Sequence, residues 1–138
     1  MMDEQVVRLL QDARLAEKKQ ALFYRALAAA AEDANDGALS ERLNELHADE
    51  QHHLSRLTAR LVELEEPVPD VVAGTDETPV LDGWEDLARG REAEEVARYA
   101  HLLNEQLDEK TRNMLEQFLE AERHHQETLG GKWMSAET

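Results

Sequence analysis

Two stretches decide how this chain folds: LNELHADEQHHLSRL at Leu43–Leu57 and LEQFLEAERHHQETL at Leu115–Leu129. Each contains a Glu-x-x-His pair, Glu50/His53 in the first and Glu122/His125 in the second. On a helix, the i to i+3 spacing sets both side chains on one face, one turn apart. The flanks tell which face. Leu46 and Phe118 stand four residues before the glutamates and Leu43 and Leu115 seven before, so both carboxylates lie on the apolar stripe that a helix buries. With 21 glutamates and six histidines, about one such pair arises by chance, so the weight lies in the duplication and its apolar register.

The helical pattern continues outward from both blocks. From Asp3 to about Ala34, the residues Val6, Leu10, Ala13, Ala21, Tyr24 and Ala28 recur at helical spacing with no internal glycine or proline, which predicts a first helix over 3–34. Asn35-Asp36-Gly37 is a turn signal, and leucines at 39, 43, 46, 54, 57, 61 and 64 predict a second helix over 38–66, antiparallel to the first. Residues 67–83, PVPDVVAGTDETPVLDG, hold all three prolines and two of the six glycines, and the Val-Val pair does not extend into a strand pattern. At about 3.5 Å per residue, such a crossover can run the full length of a bundle. A third helix is expected over 84–107, carried by Leu87, Ala88, Val96, Tyr99 and Leu103, and a fourth over 111–129, carried by Leu115, Phe118 and Leu119 and stopped by Gly130-Gly131. The tail KWMSAET is too short for a fifth. The expectation is an all-α fold, one four-helix domain over 1–138 made of two antiparallel hairpins joined by the long crossover.

Composition agrees with packed helices. Hydrophobic residues make up 41% of the chain and aromatic residues only 4%, so the core must be mainly Leu, Ala and Val. The formal charge of −16 repels nucleic-acid phosphates and anionic lipid heads, so neither is an expected partner. The absence of cysteine excludes disulfides, thiol catalysis and iron–sulfur clusters. The amino terminus, MMDEQVVRLLQDARLAEKK, has no basic leader followed by an apolar core, and no apolar run reaches about 18 residues, which leads us to expect a cytoplasmic protein.

The remaining two helices repeat each other as well. Glu17 is followed seven residues later by Tyr24, and Glu92 seven later by Tyr99. Glu17 is flanked at i ± 4 by Ala13 and Ala21, and Glu92 by Ala88 and Val96, so each is a carboxylate in an apolar seam. Glu17 precedes Glu50 by 33 residues and Glu92 precedes Glu122 by 30, so each pair returns to about the same level after its hairpin turn. Buried carboxylates are costly unless protonated or neutralised, and the stripe that carries them contains no lysine or arginine. A metal ion is the natural counter-charge.

One Glu from each of two helices plus Glu-x-x-His from each of the other two is the ligand set of ferritin-like di-iron bundles. Mixed carboxylate and imidazole donors suit iron or manganese better than copper or structural zinc, so a pair of iron ions is expected, with manganese an alternative at one position. Within that class, the chain resembles rubrerythrins that lack a rubredoxin domain, over about residues 10–128. Rubrerythrins carry a fifth core glutamate three residues after the one on the third helix. Glu95 stands at that place here, and Gln20 at the matching place on the first helix. The resemblance implies that Glu50 and Glu122 bridge the ions, that Glu17 and Glu92 are terminal ligands, that His125 binds one ion, and that His53 and Glu95 exchange at the other as its oxidation state changes. It also implies that Tyr24 and Tyr99 hydrogen-bond to ligands beside the centre, although their spacing alone fits ordinary core tyrosines as well.

Three residues fewer between the glutamates of the second hairpin point to a tighter turn near Asp108 to Thr111. His52 and His124 fall about 100° round the helix from the ligand pairs, on the surface or behind them. His47, one turn before Glu50, is a candidate outer partner of the centre, and Glu94 reads as a solvated charge. The function implied is a di-iron peroxidase that reduces hydrogen peroxide, with electrons from an external donor because the chain has no cysteine-bound iron domain. The alternative is a ferroxidase using dioxygen for iron storage or detoxification, with enclosure in a separate shell as one form of it; a non-enzymatic helical adaptor stands third. A homo-oligomer, dimer or larger, is expected.

Overall fold

A computed structural model describes residues 3–70 and 80–129. Those residues form four α-helices and no strand: α1 (Glu4–Asp33), α2 (Gly37–Glu63), α3 (Trp84–Leu102) and α4 (Glu109–Thr128). Two compact units result, one built on α1 and α2 and the other on α3 and α4. Residues 71–79 of the expected crossover, the Gly130-Gly131 stop and the tail lie outside the described residues. No helix among the described residues is long and apolar enough to cross a membrane.

In the first unit, Asp3 caps α1 by accepting from the Gln5 amide at 2.7 Å. The helix ends where Asn35 takes φ 58°, with the Asn35 amide bonded to Glu32 O and the Asp36 amide to Ala31 O, which satisfies two terminal carbonyls. Asp36 then caps α2, so the three-residue turn stops one helix and starts the next. Paired contacts run in opposite directions along the two helices. His47 Nδ1 lies 2.9 Å from Ala21 O, Arg14 Nε donates to Thr58 Oγ1 at 2.8 Å, and Gln11 Nε2 donates to Pro67 O at 2.9 Å. The seam is Leu and Ala: Leu10, Ala13, Leu27, Ala28, Leu43, Leu46, Leu57 and Leu61 are all fully buried. α2 stops at Glu63, short of the expected 66, because Glu65 enters the left-handed region at φ 58° and Pro67 follows.

In the second unit, α3 ends at Leu102, five residues before the expected 107, and α4 begins at Glu109, two before the expected 111. Asp108 caps α4, its carboxylate accepting from the Thr111 amide at 3.1 Å and from Thr111 Oγ1 at 2.7 Å. From the first turns of α4, Arg112 donates to Leu103 O and Glu105 O, both at 3.1 Å, and so takes up carbonyls at the end of α3. The turn is therefore not tighter than the first. α3 runs ten residues past Glu92 (92 to 102) where α1 runs sixteen past Glu17 (17 to 33), six fewer, and the longer second turn (103–108 against 34–36) gives back three, which leaves the three-residue difference between the halves. Leu87 does not belong to the buried stripe of α3: it is 54% exposed, one position round from the fully buried Ala88. The stripe is Trp84, Ala88, Glu92, Glu95, Tyr99 and Leu102, spaced by fours and threes.

Candidate metal centre

The seams of both hairpins are interrupted by charge at matching levels. In the first, Glu17, Glu50 and His53 are 0%, 0% and 4% exposed; in the second, Glu92, Glu122 and His125 are 0%, 0% and 2% exposed. His53 Nδ1 lies 3.6 Å from Glu17 Oε1 and 4.0 Å from Glu50 Oε1. His125 Nδ1 lies 3.6 Å from Glu92 Oε2 and 3.1 Å from Glu122 Oε1. Each hairpin thus holds one carboxylate from its first helix and a carboxylate–imidazole pair from its second, with one donor atom of each residue within 4.8 Å of the other two.

That geometry suits a cation. Oxygen and nitrogen donors sit about 2.0–2.2 Å from a small divalent ion, which leaves neighbouring donors about 3–4 Å apart. Two carboxylates with one imidazole carry a charge of −2 when the histidine is neutral, and −1 even when it is protonated. A dry apolar seam does not hold such an excess without cost, and a divalent ion removes it.

Other expected residues fall in different places. Glu95 is buried at 4% exposure, but its Oε1 accepts from Arg98 Nη1 at 2.6 Å, and it is not one of the three donors grouped around His125. A basic side chain therefore does reach one of the buried carboxylates, from α3 itself. Arg98 was not singled out by motif, yet the signal is local: a Glu-x-x-Arg step on a helix brings the two side chains together. Gln20, at the corresponding place on α1, is 2% exposed. Tyr24 and Tyr99 are fully buried, Tyr24 against Phe23 with ring centroids 5.4 Å apart and Tyr99 edge-on to Phe118 at 5.6 Å.

His47 reaches a backbone group. A carbonyl oxygen only accepts, so Nδ1 carries the proton and donates to Ala21 O, tying α2 to α1 one turn from Glu50. His52, His124 and Glu94 are exposed.

Comparison with known proteins accords with this arrangement. No curated protein matches the chain. A sequence model of the rubrerythrin family matches residues 8–131, which takes in all the residues grouped above and most of all four helices. The chain therefore belongs to the rubrerythrin family, and its fold class is the ferritin-like four-helix bundle.

Proposed function

We propose that the protein is a di-iron oxidoreductase that reduces hydrogen peroxide, with Glu17, Glu50, His53, Glu92, Glu122 and His125 as iron ligands and Glu95 as a further, exchangeable one. The observation that carries this reading is that each hairpin buries two carboxylates and one imidazole with a donor atom of each close together. Family membership supports iron as the metal. A ferrous pair would supply the two electrons that, with two protons, turn one hydrogen peroxide into two waters.

The chain's own residues do the rest. With iron bound, the glutamates would provide anionic oxygens that accommodate a change of metal charge, and Glu50 and Glu122 would be the ligands shared by the two ions. His53 and His125 bring neutral nitrogen donors, which limit the negative charge gathered in the seam. Tyr24 and Tyr99 are fully buried and would each offer a hydroxyl to a ligand carboxylate, while the Leu and Ala seam limits access of bulk water. An external electron donor is part of the same proposal. A cytoplasmic location and a homo-oligomeric state belong to the same proposal.

The test is a single-turnover experiment. Anaerobic protein loaded with ferrous iron is mixed with peroxide or with dioxygen, and oxidation is followed optically. Faster oxidation by peroxide is expected. Faster oxidation by dioxygen, with iron accumulating well beyond two ions per chain, overturns the peroxidase reading in favour of a ferroxidase.

A further inference from the structure

The Glu95–Arg98 pair has no counterpart in the first hairpin. Aligning the halves on Glu17 and Glu92 sets Gln20 opposite Glu95, each three residues on, and Phe23 opposite Arg98, each six residues on. Gln20 and Phe23 are buried, at 2% and 6% exposure. Acid and base in one half thus correspond to amide and phenyl ring in the other, so the charge and its counter-charge differ together. That is the pattern expected where a guanidinium is present because a carboxylate in the interior needs it.

The pair is also built to separate. Glu95 is nearly inaccessible, whereas the Arg98 side chain keeps 33% of its surface in water. A guanidinium at the boundary can turn out into solvent on its long stem at small cost, whereas the carboxylate must stay in the seam. One turn earlier on the same helix stands Glu92, which belongs to the donor group of His125. Glu95 is thus held by Arg98 one turn from a member of that group.

Resting on the di-iron reading, we propose that Arg98 is a positioning residue: it holds Glu95 aside from the ligand set and so governs when that carboxylate joins it. With Gln20 and Phe23 at the matching places on α1, a carboxylate held in this way occurs on α3 and not on α1.

Cobalt(II) tests this without turnover, because its visible ligand-field bands report coordination number. The full chain and its Arg98→Met, Arg98→Lys, Glu95→Gln and Glu95→Gln/Arg98→Met variants are titrated with Co2+ under matched buffer conditions. The wild-type chain is expected to bind two ions. Loss of a charge-assisted hydrogen bond corresponds to about a tenfold change, so Arg98→Met should bind one of the two about tenfold more tightly, with weaker bands as a ligand is added. Arg98→Lys should fall between, and in the Glu95→Gln background removing Arg98 should change neither affinity nor spectrum.

An Arg98→Met chain with wild-type affinity and bands, or weaker binding, overturns the proposal. So does a change that persists in the double variant, since Arg98 would then not act through Glu95. If Arg98→Met does not fold, the Arg98→Lys spectrum decides by the same criterion. A wild-type chain that binds no cobalt instead sinks the metal-centre reading, a result distinct from all of these.

Discussion

At the scale of single residues, the charges in the seams oppose stability in the metal-free chain. Glu17 and Glu50 are both fully buried and share the neighbourhood of one imidazole, so their like charges repel where water cannot screen them. Replacing Glu50 by Gln keeps the shape and removes one charge. Denaturant unfolding of metal-free protein should find Glu50→Gln more stable than wild type by about 1–3 kcal/mol, while metal analysis finds iron stoichiometry reduced. A variant that is less stable without metal would mean the carboxylate contributes to the fold itself. His47 makes the opposite case. Its Nδ1–H bond to Ala21 O joins two helices, so His47→Ala should destabilise by about 1 kcal/mol whether or not metal is added.

At the scale of elements, the helix ends are where substitutions should act most cleanly. Glu65 sits at φ 58° just past α2, a conformation that costs a residue with a Cβ about 1–2 kcal/mol and glycine almost nothing. Thermal melting should show Glu65→Gly more stable by about 0.5–1 kcal/mol, the greater freedom of glycine in the unfolded chain offsetting part of the gain. Gly90 lies inside α3 on its exposed side, and a Cβ built there meets nothing within 4 Å. Gly90→Ala should therefore add about 1 kcal/mol by helix propensity alone. Arg112 is the reverse. It serves two carbonyls at the end of α3, so Arg112→Ala should cost about 2 kcal/mol, and amide exchange at the end of α3 should accelerate.

At the scale of the whole molecule, charge and metal are linked. The chain carries −16, part of it sealed in two buried groups, so a bound divalent ion should stabilise the folded state and not the unfolded one. Free ferrous iron at about a hundred times its dissociation constant should raise unfolding stability by about 2.7 kcal/mol per site, and a chelator should reverse it. Melting that does not respond to iron or manganese would remove the basis for the centre.

Much of this was legible in the chain. The four helices, the first turn at Asn35–Gly37 and the depth of Glu17, Glu50, Glu92 and Glu122 follow from local periodicity, because a helix converts spacing into facing and an apolar face must be buried. The duplicated Glu-x-x-His blocks carried the donor groups for the same reason. Tertiary structure alone decided where α3 stops, which carbonyls Arg112 takes up and that His47 spends its proton on Ala21, since these depend on side chains meeting across a hairpin. Periodicity encodes which face is apolar; it does not encode which polar atom on the neighbouring helix lies within 3 Å of a given donor, and that distance is set only once the two helices pack.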